Sequence, residues 1–490
     1  MTGRIDADPA RLVHDEVLEP QFRYEVTHLL PAYLAIETVF ALEYRRMGLL
    51  TVNEAAAIGR ALHEVEPSTL IADPSANLSD IAFAIERQVA ERVSAPIGRW
   101  HVDRSRNDLQ SCAQLMFGRD LLFDIARQLR AFGDQVRQTA SQLTDVPMPG
   151  YTHLQPAQVI TPGFYLAALS EEVKHALDRL RTTYDELNRC PLGAGAMAGQ
   201  ELPWDRPRMA HLLGFADVRE HALVGVASRA WASEITGELA LFGVTLSRFV
   251  TDLMAWASGE YGFVDLPDEL AGISSAMPQK KNFPIFERIR GKTGHLVAGH
   301  LDLLVGLRNT PYANSVEVSK EATAPLYGVC TGLATILRLA TAVVTNLRFD
   351  ADRMRSACED EYLGGFSLAN LLTLNSGVPW RTAQVIAGQY IVEAVRRGLP
   401  PQQYDPDLLC DLAAQHGYQA IDPAAALAEA FDINRNLRRK QSPGSADPEQ
   451  VHQLLERQAI EYQQAADDWD CRERTVRDQL SRLNNDILQG

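Results

Sequence analysis

Paired cysteines, long apolar runs and an excess of positive charge are all missing from this chain, and each absence removes a class of function. The six cysteines, at 112, 190, 330, 358, 410 and 471 of 490 residues, are widely spaced and form no CxxC pair. That spacing gives no support to a metal site or a dithiol redox motif, and it fits a reduced cytoplasmic setting. The formal net charge of −16 argues against general affinity for nucleic acid or for an anionic membrane. No uninterrupted apolar segment looks long enough to span a bilayer. Residues 1–30 carry acidic and proline-containing stretches where a secretory signal would need an apolar run. The expectation is a cytoplasmic protein with neither nucleic acid nor membrane as partner.

Strand-like alternation is also scarce; no region keeps a period of two for long. The helical period dominates instead. Leu166, Leu169, Val173, Leu177 and Leu180 recur every three or four residues, and so do Ile235, Leu239, Phe242, Leu246, Val250 and Leu253. A hydrophobic content of 46% with 22% charged residues is ordinary for a globular chain, and 490 residues exceed what one core can serve. The fold class expected is all-α, with a core of long packed helices. Breakers at Pro147–Gly150, Pro191–Gly195, Gly364-Gly365 and Ser376–Pro379 punctuate the chain. They suggest an N-terminal helical domain over 1–110, a central long-helix bundle over 111–365 and a C-terminal helical domain over 366–490. The stretch from Pro448 onward is polar and charged at helical spacing and reads as a solvated surface helix.

Three polar strings can carry chemistry. In Ile273–Asn282, two serines precede a proline-bounded turn with lysines and an asparagine. Such a loop can hold a weakly basic oxygen beside cations and amide donors, as proton abstraction next to a carboxylate requires; read alone, the serines would cap a helix starting near Pro284. In His101–Asp108, two arginines and an asparagine within four residues can grip a carboxylate. Equally, Ser105 or Asn107 can cap a helix there. In Met148–Gln155, Thr152, His153 and Gln155 follow a rigid turn, and histidine titrates near neutrality.

These strings resemble the motifs of argininosuccinate lyases, a branch of the fumarase/aspartase superfamily. The pattern Ser-Ser-x-x-Pro-x-Lys-x-Asn falls on Ser274, Ser275, Pro278, Lys280 and Asn282. Gly150–Gln155 matches the family's Gly-Tyr-Thr-His-Leu-Gln, Arg104–Asp108 its Arg-Ser-Arg-Asn-Asp, and Tyr312 and Lys320 its spaced carboxylate-binding pair. The resemblance covers roughly residues 30 to 445. It implies a three-domain fumarase/aspartase-like fold and a homotetramer with a multi-helix core, whose composite active sites draw motifs from three subunits. It implies a carbon–nitrogen lyase that β-eliminates fumarate from an N-substituted aspartate, argininosuccinate being the first candidate, for arginine biosynthesis. Ser274 would be the base, Lys280 would stabilise the aci-carboxylate and His153 would take part in proton transfer. Arg104, Ser105, Arg106, Asn107, Thr152, Gln155, Ser275, Met277, Asn282, Tyr312, Glu317 and Lys320 would contact a small dicarboxylate substrate. No metal and no organic cofactor is implied.

The chain departs from the family pattern at several places. Asp80-Ile81-Ala82 lacks a histidine, Asp103 replaces a small residue, Leu109 a glutamine and Ile273 a glycine. Gly225–Trp231 keeps only Ser228 of an otherwise acidic string, and Glu317 replaces a neutral amide. The proton-abstraction set is retained, while the changes can touch the nitrogen-bearing half of the substrate. The leaving group, the direction of flux and the pathway are left open by the residues. The alternatives are a lyase for another aspartate–amine adduct in specialised metabolism, running in either direction, and a non-catalytic family member.

Overall fold

The computed structural model describes residues 7–489. Five long helices carry the centre: Arg106–Ser141, Pro162–Leu187, Ala230–Trp256, Pro284–Leu307 and Pro325–Asn346. Their starts are written locally. The Ser105 hydroxyl accepts the Asn107 amide, and the Thr161 hydroxyl accepts that of Phe164. Prolines open three of the five, where a missing N–H gives up no helical hydrogen bond. Among the described residues strand is confined to four two-stranded pieces, the longest pairing Met148–Thr152 with Gln155–Ile160. The all-α expectation holds.

The chain reverses between successive central helices, so each end of the bundle collects its own loops. At one end Asp108 meets Gly193 and Gly195, and Arg229 bridges Ser111 to Asn314. At the other end Thr139 bonds the Val344 carbonyl, Tyr165 bonds Asp252, and Tyr151 packs edge-on against Tyr261. One hydrophobic core runs through the N-terminal helices and this bundle, and a second, smaller core lies between Leu368 and Phe431.

Helix Pro448–Gln489, 42 residues long, is not the solvated surface helix expected from its charge. Leu455, Tyr462, Trp469, Val476 and Leu483 recur every seventh residue, and all are buried in the first core. A heptad stripe is narrow enough to be hidden among charged residues on the remaining faces. The buried Gln458 donates to the Ala167 carbonyl at 3.0 Å, and the Tyr462 hydroxyl donates to that of Ser170 at 2.7 Å.

The expectation that no segment is apolar enough for a bilayer also needs correction. Among the described residues, two single helices have the length and composition to cross one: Ala230–Trp256 and Glu317–Asn346, with 18-residue stretches of mean hydropathy 1.3 and 1.6. Isolated polar residues interrupt each run in sequence without making the helix polar as a whole. Both helices lie inside the bundle, where neighbours cover several faces. Part of the bundle's apolar surface stays open, at Leu241 and Val244 and at Val297, Leu301, Leu304 and Val305 of helix Pro284–Leu307. The last four share one helical face.

Candidate active site

At the first end of the bundle, the arginine string divides its labour. Arg104 is largely covered and pairs through Nη1 with buried Glu37 at 2.5 Å. Arg106 is half exposed and reaches Asp80 at 2.8 Å. The Asn107 amide donates to the Ala196 carbonyl at 3.0 Å, and Ser105 serves as the helix cap. Asp108, fully buried, accepts the amides of Gly193 and Gly195 at 3.0 Å each. Both glycines sit at positive φ, so the glycine-rich stretch is built to wrap this carboxylate. Burial pushes the Asp108 carboxyl up to about 7, against the pull of those amides.

Two departures from the family pattern have structural occupations here. Asp103 accepts the Glu201 and Leu202 amides and the Trp204 indole N–H, tying the segment after the glycine-rich stretch to the arginine string. Burial alone would raise its carboxyl, but these donors hold it below the usual range. Arg229 is 2% exposed and has no carboxylate partner among the described residues. Its guanidinium is shared between the Val226 and Ser228 carbonyls, Ser111, Gln114 and Asn314. Burial lowers its pKa to about 10.

Tyr312 and Glu317 are exposed in the segment after Leu307, at this same end. The Lys320 ammonium pairs at 2.9 Å with Glu25, a buried carboxylate whose pKa burial raises against the lowering effect of Lys320. Glu25 and the tethers Gln114 and Asn314 were missed from sequence. Nothing local marks Glu25; its partner is 295 residues away.

At the opposite end, Met148–Ile160 forms a hairpin whose two-residue tip is His153-Leu154, at φ 53° and 62°. Successive positive φ values match a type I′ turn, which suits the twist of paired strands. Thr152, His153, Leu154 and Gln155 are all exposed there. The serine loop is a second hairpin, with Gly272 paired to Asn282 and Ile273 to Lys281. Its serines do not cap the following helix, whose N-cap is Phe283. Instead the Ser274 hydroxyl oxygen accepts the Met277 amide at 3.1 Å, and the turn closes with the Lys280 amide on the Met277 carbonyl.

The adjacent lysines differ. Lys281 is anchored to Asp265 at 2.9 Å, Asp268 at 3.1 Å and the Leu266 carbonyl at 2.6 Å. Lys280 is exposed and has no ion-pair partner among the described residues. Ser275 and Met277 are exposed beside it, and Asn282 is partly covered.

Within one chain these two groups do not meet. Helix Pro284–Leu307 spans 24 residues, about 36 Å at the standard rise, between the serine loop and the Tyr312–Lys320 segment. Helix Pro162–Leu187 sets a similar distance between the His153 hairpin and the glycine-rich stretch. The structure therefore unites Arg104–Asn107 with Tyr312–Lys320 at one end, and leaves the Thr152–Gln155 and Ser274–Asn282 hairpins at the other.

The lyase family model matches residues 5–298. Argininosuccinate lyase from Synechococcus sp. is 32% identical, over 85% of this chain and 84% of that protein. Argininosuccinate lyase 1 from Shouchella clausii is 29% identical over 95% of each. Among solved structures, an EDDS lyase variant with bound fumarate superposes with a TM-score of 0.85 at 27% identity, covering 99% of this chain and 97% of that one. A class II fumarase from Schistosoma mansoni shares the fold, with a TM-score of 0.64 at 15% identity over 83% of this chain and 90% of that one. With the motifs, the fold and these relatives in agreement, the chain belongs to the argininosuccinate lyase branch of the fumarase/aspartase superfamily.

Proposed function

We propose that this chain works as a carbon–nitrogen lyase that β-eliminates fumarate from an N-substituted aspartate, with argininosuccinate, giving arginine and fumarate, as first candidate. The observation that carries this reading is the serine loop. The Met277 amide already donates to the Ser274 oxygen, and a free Lys280 follows an ordered turn. Both features favour the negative charge that a serine base must carry.

In the proposed reaction Ser274 takes a proton from the carbon next to a carboxylate. Lys280 and Asn282 stabilise the aci-carboxylate dianion, and Asn107, Thr152, Tyr312 and Lys320 hold the carboxylates. The C–N bond then breaks; nitrogen keeps the electron pair and gains a proton, directly or through water, from the neighbourhood of His153. One proton leaves carbon and one reaches nitrogen, so no oxidant or reductant is needed.

The reading includes a cytoplasmic homotetramer with composite sites. Its support is the separation of the two groups of residues within one chain, together with the open apolar face at Val297, Leu301, Leu304 and Val305. Ile273, 93% exposed, and Leu154, 81% exposed, stand on the two hairpins and fit insertion into a neighbouring copy. All six cysteines are free thiols, as a reducing compartment would keep them.

The test is fumarate release from argininosuccinate, followed by ultraviolet absorbance, with Ser274→Ala as control. We expect release to fall at least about a thousandfold in the variant, in line with the loss of a group acting on the reacting atoms. Equal rates in the two proteins would exclude Ser274 as the base. A second reading, elimination from a different aspartate–amine adduct or the reverse addition, is favoured by exposed Glu317 and by Trp231 of the altered string, which lines the cavity beside Lys320.

A further inference from the structure

A cavity of about 380 Å³ opens beside Lys320, at the end of the bundle that holds Asn107 and Tyr312. Its walls include the aromatic rings of Tyr24, Phe117 and Trp231, the last of these belonging to the altered string. Its charged lining is lopsided. Glu16, Glu25 and Glu321 face a single cation, Lys320. Glu25 is 5% exposed, and both donors to it, Gln21 at 3.0 Å and Lys320 at 2.9 Å, converge on Oε1. Its Oε2 accepts no hydrogen bond from the described residues.

We propose that this cavity receives the leaving amine of the substrate, and that this amine is an apolar chain with a second positive charge at its far end, as in a diamine. The inference rests on the lyase reading above and specifies its nitrogen-bearing half. A distal ammonium meets a free carboxylate oxygen in an apolar setting, where charge-assisted hydrogen bonds are strong. The three aromatic rings offer faces to the same cation and packing to its methylene spine. A distal carboxylate would meet three acids, Glu16, Glu25 and Glu321, against the one cation of the lining, Lys320. The volume suits a short chain rather than a large ring system.

The experiment runs the purified full-length protein in the direction of amine addition, following loss of fumarate absorbance with three amines. Putrescine carries a distal ammonium, pentylamine is its uncharged isostere, and γ-aminobutyrate carries a distal carboxylate. We expect kcat/KM to rank putrescine above pentylamine by at least about tenfold, with γ-aminobutyrate lowest. In Glu25→Gln the putrescine advantage should shrink to about twofold or less, since a neutral amide loses the charge that selects the cation. A ranking with pentylamine or γ-aminobutyrate first overturns the inference and leaves the lyase reading intact. So does an unchanged putrescine advantage in Glu25→Gln. Failure of all three amines, together with no fumarate release from argininosuccinate, overturns both.

Discussion

Asp108 shows how much one buried carboxyl can fix. It holds two glycine amides and stands one residue beyond Asn107, so its protonation bears on the shape of the carboxylate-gripping end. Its carboxyl titrates near 7 in the folded protein against 3.8 ordinarily, because burial disfavours the charge. A raised carboxyl pKa means that the folded state holds the proton more tightly. Its contribution to stability is complete below about 4, falls as pH rises, and levels off above about 7. We expect Asp108→Asn to lose that slope, so that its unfolding free energy gains on wild type between about pH 4 and pH 7 by on the order of a few kcal/mol. Denaturant melts at a series of pH values check this. The residues that sequence exposed are those whose meaning is local. Ser274, Lys280 and Asn282 lie within one nine-residue turn, and His153 lies within one hairpin. Glu25 and the acceptors around Arg229 were illegible because their partners arrive from distant helices. Asp103 was noticed as an anomaly, yet its role as acceptor for residues 201–204 depends on a loop contact that no local pattern encodes.

Among elements, the long helices were the most legible, since Leu166–Leu180 and Ile235–Leu253 repeat at the helical period and are buried on that face. The final helix was misread because seven-residue spacing leaves most of its surface charged. Its fit is tight at Gly133, where an added methyl would strike the Tyr462 ring, and that ring is pinned by the Ser170 hydrogen bond. Gly133→Ala should lower stability by about 1–3 kcal/mol, the usual effect of overpacking a filled core. Thermal denaturation measures it, and an unchanged midpoint would mean that helix Pro448–Gln489 can shift away at little cost. The two hairpins contrast with the helices. Their backbones were foreshadowed by Pro149-Gly150 and Pro278, but the left-handed pair His153-Leu154 was not, because leucine rarely adopts that region even though histidine visits it more than most residues.

For the whole molecule, the length of the central helices decides what a single chain can do. The proposed serine base and the proposed carboxylate grip lie about 36 Å apart along helix Pro284–Leu307. Complementation tests whether copies supply each other. Ser274→Ala and Asn107→Ala proteins, each inactive alone, should regain activity when refolded together. With random mixing, half the serine loops and half the asparagine ends are intact, so about a quarter of wild-type turnover should return. No recovery in mixed oligomers would place both residues in one chain's site. On the composite reading, the same separation makes dilution an inhibitor. An isolated copy has no working centre, so turnover falls faster than protein mass as copies separate. A cell that halves its supply of this chain, near the concentration at which the copies part, then loses more than half of the flux.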